Sequence, residues 1–500
     1  MNRQNIVPTL LKNTRLPLAR PSRILLFKSQ WCMCRPRFIS INTHTDNSPL
    51  PEQINNTRNT KKQSNNTPID VLSETLLKDP LSLLLLPSTD SDIYEDRLPG
   101  PNDDVWVGLS SGVDSSTSVA LLKELSERQK QASSVPGSGK VRGIFMANWS
   151  STAKCAEADW ADVQRVCKTV GVECERVSFE REYWQEVFEP MVDMYRQGMT
   201  PNPDVGCNRH IKFGVLIKYL KAKYKNNNSK KWWLATGHYA RIATHKPSGE
   251  THLLRPNHLP KDQSYYLSSI SADVFPHILF PLSHYTKPQV RQLAKSVFHL
   301  PTAEKPDSQG LCFVSQEHNT FRHFLDEYLP PAPGDFVIKG LADDGTEIKT
   351  VVGKHKGIWH ATVGQKSGFA LPQGRPETKG VWYVQAKTPE SREITLVRGN
   401  NHPSLFSSLV NVNHFDFLGG SPPKDLTNLH VQYRSLQAPE PVKSLECKQQ
   451  GSSNDYSLAV EFESPRRAIA PGQYLVLYSG DRVLGSGIIT STTPIANPYS

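Results

Sequence analysis

The sequence lacks what would mark a membrane-spanning, disulfide-built or zinc-built protein. Its longest Leu-rich run, Leu81 to Leu86, contains Ser82 and is far shorter than the roughly 18 to 20 apolar residues a spanning helix needs. No membrane insertion is expected. Eight cysteines in 500 residues include no CxxC pair and no cluster at zinc spacing, which argues against a disulfide framework and a structural zinc site and fits a reducing compartment. Acidic residues are absent from the first 45 positions, where eight basic ones stand: Arg3, Lys12, Arg15, Arg20, Arg23, Lys28, Arg35 and Arg37. Subtracting these 8 from the 58 Lys and Arg leaves 50 against 48 acids, so the remaining chain carries only +2 of the +10 net charge. Global charge therefore does not identify a nucleic-acid partner. An Arg-rich, hydroxyl-bearing, acid-free N-terminus without an uninterrupted apolar core predicts a mitochondrial transit peptide over residues 1–45 and a matrix location, the alternative being a basic tail that stays attached.

The length suggests two to four domains at about 150 residues each, and 37% apolar residues are enough for real cores. From Asn42 to about Asp70 the chain is rich in Asn, Thr, Gln and Ser, too polar to offset the entropy of ordering; a polar linker is expected over 46–100. From Val105 short β-rich runs alternate with amphipathic stretches. Strands are expected at Val105–Leu109, Val141–Ala147, Glu173–Phe179 and Trp232–Thr236, with helices at Ser116–Gln129, Ala158–Val170, Arg181–Gln197 and Ile211–Lys223. That alternation predicts an α/β fold, a doubly wound parallel sheet over 101–320. Beyond about 320 frequent Gly and Pro and short alternating strands predict a small middle domain (321–402) and a C-terminal β-barrel-like domain (403–497).

Directly after the first strand stands Ser110-Ser111-Gly112-Val113-Asp114-Ser115-Ser116. A strand, a small-residue turn and a helix start make an anion site from free backbone N–H groups and the helix dipole. An ordinary Ser/Gly turn is the competing reading. Pro136-Gly137-Ser138-Gly139-Lys140 imitates a Walker loop but fails: Ser134 stands at the first Gly, Val141 at the magnesium-binding hydroxyl, and no strand leads in.

The loop resembles the SGGVDSS motif of the PP-loop ATP pyrophosphatases. Further segments follow in order: Phe145-Met146-Ala147-Asn148-Trp149, Gly198 to Asn208, Ile211-Lys212-Phe213-Gly214, Ala235-Thr236-Gly237-His238-Tyr239, Lys261-Asp262-Gln263-Ser264-Tyr265, Asp307 to Phe313 and Pro471-Gly472-Gln473. Together they resemble the tRNA 2-thiouridylases over roughly residues 103 to 495. The resemblance implies ATP, with Mg2+, at Gly108, Leu109, Ser110, Ser111, Gly112, Val113, Asp114, Ser115, Met146 and Gly237. It implies tRNA contacts at Asn202, Pro203, Asp204, His238, Lys261, Asp262, Gln263, Gln432, Tyr433 and Gln473. It implies adenylation of O2 of wobble uridine 34 in mitochondrial tRNAs, with lysine, glutamate and glutamine acceptors expected. It implies that Cys207 is the nucleophile or resolving thiol, that Cys312 is the persulfide carrier, and that the two can form a disulfide. A cysteine desulfurase or sulfur-relay protein is implied as donor.

The residues also have readings of their own. Cys207 stands just before a helix expected to begin near Asn208, where the dipole and Arg209 would lower a thiol pKa; an inert buried Cys is the alternative. Cys312, in Gly-Leu-Cys-Phe-Val, reads unaided as core. Asp204 is a general acid or base, or the anchor of an Asn-Pro-Asp turn. His238 follows a strand's carboxyl end, where open α/β sheets bind ligands. Residues 205 to 249 hold ten Lys or Arg and no acid, which fits RNA phosphates or a solvated helix face. Two departures stand out. Ser111 replaces a Gly, adding a Cβ where backbone approaches phosphate, so Ser111→Gly is expected to leave ATP use unchanged or improved; Gln432 stands where the family often has Arg. The competing functions are another PP-loop adenylating enzyme and a non-catalytic RNA-binding relic.

Overall fold

The computed structural model describes residues 74–133, 137–149, 153–226, 230–307, 321–369, 371, 378–424, 428–451 and 454–496. The expected presequence, the first part of the expected linker and Cys312 lie outside them. The N-terminal half supplies β1 (Tyr94–Asp96), β2 (Asp104–Leu109), β3 (Val141–Ala147), β4 (Glu173–Ser178), β5 (Trp232–Thr236), β6 (Arg241–His245), β7 (Thr251–Leu254) and β8 (Ile278–Leu279). Five of these form one sheet, ordered β4-β3-β2-β5-β8, in which every pairing is parallel. All five residues of β5 and five of the six in β2 are buried. That explains their continuous apolar runs, since helices cover both faces of a parallel sheet. Helix Val113–Ala132 buries Val119, Leu121, Leu122 and Leu125 against it.

Part of the stretch expected to be linker belongs to the folded body. Leu76, Leu81 and Leu84 are buried in the same core as β2 and β5. The Tyr285 hydroxyl accepts from Leu84 N at 3.1 Å and donates to the Pro80 carbonyl at 2.8 Å. The apolar side chains in this segment outweigh the polar average that suggested a linker.

Strands β9 (Gly334–Leu341), β10 (Glu347–His355), β11 (Trp382–Thr388) and β12 (Glu393–Arg398) make the middle sheet, ordered β10-β9-β12-β11. The C-terminal domain is β13 (Phe406–Phe417), β14 (Leu429–Gln432), β15 (Glu440–Gln449), β16 (Tyr456–Arg467), β17 (Tyr474–Ser479) and β18 (Arg482–Pro494). Their order, β18-β13-β16-β15-β14-β17, closes through a β17–β18 pairing into a six-stranded antiparallel barrel. Closure removes the exposed edges an open sheet would leave. Val410, Val412, Phe415, Leu458, Val460, Leu475 and Leu477 fill it. The sequence did not suggest the ribbon β1-β6-β7, which leaves the parallel-sheet domain and joins the barrel sheet where Arg482 pairs with Leu254. Among the described residues no helix is long and apolar enough to cross a membrane.

Candidate active site at the carboxyl ends of the parallel strands

β2 runs into the loop 110–112 and then into helix Val113–Ala132, whose N-cap is Gly112 with no side-chain cap. The first N–H groups of that helix therefore remain available to an anion. The Ser115 hydroxyl accepts from Ser110 N at 3.2 Å and donates to Gly112 O at 3.1 Å, so the loop is tied to itself. Leu109 and Val113 bury their side chains in the core, leaving only backbone for a ligand. Gly237, just past β5, closes one wall: a Cβ there would lie 2.6 Å from Ser115 N and 2.8 Å from the Asp114 carbonyl carbon. Met146 sits at the end of β3, and next to it Asn148 is buried with its Oδ1 lacking a hydrogen-bond partner.

The structure adds groups that the sequence analysis missed. Lys287 Nζ donates to both Asp114 oxygens at 2.7 Å, and the Tyr239 hydroxyl donates to Asp114 at 2.9 Å. Lys287 also lies 3.0 Å from Asp307. Partial burial raises the Asp307 pKa, but Lys287 and then Lys261 outweigh it and bring it down to about 2. Lys305 Nζ reaches Ser111 Oγ (2.8 Å), Asp159 (3.0 Å) and Asp162 (2.8 Å). These cations come from far along the chain, and only a Thr286–Gln289 capping box marks Lys287 locally. Ser111 is buried at φ 60°, and its hydroxyl donates to Asp159. Beyond the added Cβ expected from the sequence, its side chain is thus bonded to groups beside the loop. Among the described residues no group of three His, Cys, Asp or Glu could hold a metal. Asp114, the loop's one carboxylate, is engaged by Lys287 and Tyr239.

The second half of the site is one long helix. It begins at Pro203, after Asn202, not near Asn208, and runs as α-helix Pro203–Gly206, π-helix Cys207–Val215 and α-helix Leu216–Tyr224. Such i→i+5 segments are rare and recur at functional sites. Cys207 is buried one turn inside the helix. Arg209, expected to activate it, instead pairs with Asp416 of the barrel at 2.6 Å. Asp204 has a raised pKa because it is buried, with Lys212 opposing the shift. Burial, reinforced by Lys212, drives the His238 pKa well down, leaving a neutral imidazole whose Nδ1 is 2.7 Å from Thr236 Oγ1. The charge of Lys212 thus acts on both Asp204 and His238. The chain of contact continues from Phe213 to His238, with ring centroids 6.0 Å apart, and through Gly237 to the phosphate loop.

The other expected tRNA contacts divide. Lys261 is partly exposed and lies 3.2 Å from Asp307. Asp262 is buried, accepting from Arg255 Nε at 2.7 Å and Ser264 N at 2.9 Å, and Gln263 Oε1 accepts from Tyr239 N at 3.0 Å. Both are braces. Gln432 is 1% exposed, with its amide donating to Gln437 O and accepting from the Tyr478 hydroxyl, and Tyr433 is 5% exposed. Tyr433 continues the inward-facing series Leu429 and Val431 in the barrel core, whereas Gln432 points to the opposite face and is covered there with Tyr478. Gln473 Nε2 donates to Thr200 O at 2.7 Å, docking the barrel on the loop before Asn202. Of the ten basic residues at 205–249, Arg209, Lys221, Lys223, Lys230, Lys231 and Arg241 are in ion pairs within the fold. Cys167 is buried beside Cys174, and both the burial and that neighbour raise its pKa, which suits a thiol without chemistry.

An uncapped strand–loop–helix at the carboxyl ends of a parallel sheet, with a thiol-bearing helix beside it, defines a PP-loop protein with an appended antiparallel β-barrel. The domain matches agree. Residues 103–316 match the tRNA methyl transferase HUP domain, 322–398 the tRNA methyl transferase PRC-barrel domain and 407–489 the aminomethyltransferase beta-barrel domain. The chain is 44% identical over 411 residues to mitochondrial tRNA-specific 2-thiouridylase 1 of Saccharomyces cerevisiae, covering 79% of this chain and 93% of that protein. It is 38% identical over 408 residues to the Schizosaccharomyces pombe protein of the same name, covering 79% and 92%. It is 35% identical over 399 residues to tRNA-specific 2-thiouridylase MnmA of Lacticaseibacillus paracasei, covering 78% and 95%. The chain belongs to the tRNA-specific 2-thiouridylase family.

Proposed function

We propose that this protein is a mitochondrial tRNA-uridine 2-sulfurtransferase that uses ATP to thiolate uridine 34. The observation that carries the reading is the meeting, through residues 236–238, of an uncapped phosphate loop with the helix that bears Asp204 and Cys207. Adenylation of O2 and attack of sulfur on C2 act on one carbon–oxygen group, so their groups must share one cleft. Uridine O2 attacks the α-phosphorus of ATP and pyrophosphate leaves to the loop's N–H groups. The terminal sulfur of a Cys312 persulfide then attacks C2 and displaces AMP. Cys207 thiolate attacks the Cys312 sulfur, freeing 2-thiouridine and forming a Cys207–Cys312 disulfide that an external thiol reduces. A carboxyl whose pKa is raised, as at Asp204, suits proton transfer at the base. Methyl transfer, the term in two of the domain descriptions, has no use for an ATP phosphate loop.

The yeast relatives' names support the mitochondrial location, which the acid-free residues 1–45 predict independently. A cysteine desulfurase or sulfur-relay protein would load Cys312. The test is mass spectrometry of mitochondrial tRNA nucleosides after deletion of the gene. Loss of 2-thiouridine is expected, and unchanged 2-thiouridine would overturn the reading.

A further inference from the structure

We propose that Lys305 is a ligand of the β- and γ-phosphates of ATP and that Ser111 is the residue that positions it. The proposal rests on the ATP use proposed above. A non-glycine residue at positive φ is uncommon and persists where its surroundings over-determine it. Ser111, at φ 60° and 3% exposed, is such a residue, and it stands inside the phosphate loop. What holds it is its side chain. The hydroxyl donates to Asp159 and accepts from Lys305 Nζ at 2.8 Å, a pairing across 194 positions of sequence.

The ammonium of Lys305 therefore lies one hydroxyl away from the backbone that precedes the uncapped helix. Its other partners are Asp159 at 3.0 Å and Asp162 at 2.8 Å. Asp159 is 43% exposed and Lys305 33% exposed, so water can hydrate the carboxylate if the ammonium turns to another anion. Asp162 keeps Arg165 as a second cation. Lys287 is placed differently, because both oxygens of Asp114 and one of Asp307 already hold it. A triphosphate entering the loop is a stronger acceptor for a compact ammonium than a solvated carboxylate. Glycine at 111 would leave Lys305 without its tether to the loop. The serine thus compensates for its backbone strain by presenting a cation.

The experiment measures binding of ATP, AMP and pyrophosphate to the full-length chain by calorimetry, together with KM and kcat for ATP in tRNA-dependent pyrophosphate release. Lys305→Met should weaken ATP and pyrophosphate about tenfold or more and leave AMP within about twofold, and Lys305→Arg should recover most of the loss. Ser111→Ala and Ser111→Gly should raise KM for ATP roughly threefold to tenfold with kcat nearly unchanged and AMP binding intact. Lys295→Met, which removes an exposed Lys295–Glu304 pair, should do nothing. Equal losses for ATP and AMP would reduce Lys305 to a structural brace and overturn the proposal, as would unchanged ATP binding in Lys305→Met. A wild-type chain that binds no ATP would overturn the functional reading as well, which separates the two failures.

Discussion

Replacing Gly237 by Ala tests whether the phosphate loop and the strand end after β5 form one rigid site. The added Cβ would lie 2.6 Å from Ser115 N and 2.8 Å from the Asp114 carbonyl carbon, both backbone atoms. Ordinary contact begins at 3.4 Å, so the loop must retreat by 3.4 − 2.6 = 0.8 Å. Neither neighbour is a side chain that can rotate away. A misplacement of about 1 Å costs on the order of 10²-fold in rate, or about 2.7 kcal/mol of transition-state stabilisation. Overpacking itself costs about 1–3 kcal/mol of stability, which leaves most of the protein folded at 25 °C. The assay is ATP-dependent pyrophosphate release with saturating tRNA, read beside tRNA binding by filter retention. The expected result is a loss of about two orders of magnitude in release with tRNA affinity preserved. Gly171→Ala is the comparison: its φ is 73° with nothing within 4 Å of a Cβ, so it should cost about 1 kcal/mol of stability and no activity. Near-normal release by Gly237→Ala would refute the assignment of this glycine to the nucleotide wall.

Three further outcomes follow from particular groups. Cys312→Ser should abolish both persulfide loading and thiolation, whereas Cys207→Ser should still load Cys312 and fail at transfer; mass spectrometry finding the extra sulfur on Cys207 would reverse the roles. Asp204→Asn should abolish thiolation yet raise the thermal midpoint at pH 7. The sign follows from the raised folded pKa: the charged form is disfavoured in the fold, so Asp204 costs stability above its folded pKa, and the advantage of Asn should vanish as pH falls toward the unfolded carboxyl value of about 3.9. A pH-independent gain would show that desolvation is not the cause. Asp262→Asn should destabilise by about 3 kcal/mol, because it leaves the 11%-exposed Arg255 side chain without its anion. By contrast, Lys261→Ala should keep stability and lower the salt dependence of tRNA binding; equal melting of the two variants would contradict that division.

The phosphate loop could be read from the sequence because its physics is local. A strand of Val-Trp-Val-Gly-Leu followed by small residues and a helix start places backbone N–H groups at one point, whatever the rest of the chain does. The alternation of β2 to β5 with their helices follows in the same way from apolar periodicity, and the C-terminal barrel from short alternating strands. Composition misjudged residues 76–98, because a few buried leucines and the pairing of Tyr94–Asp96 with β6 outweigh a polar average. It left two readings open for the basic block at 205–249, since charge is local but the partners Asp416, Asp273, Glu175 and Asp104 are not. Gln432 and Tyr433 matched a motif, but only the tertiary structure decides that Tyr433 is buried inside the barrel and Gln432 on its other face beside Tyr478. The cations beside the loop depend entirely on tertiary structure: Lys287 reaches Asp114 across 173 positions and Lys305 reaches Ser111 across 194. A backbone amide is placed by its own dihedral angles, but a charge is placed by the packing of everything between it and its partner. The sequence therefore determined where phosphate can bind, and the fold decided which side chains stand around it.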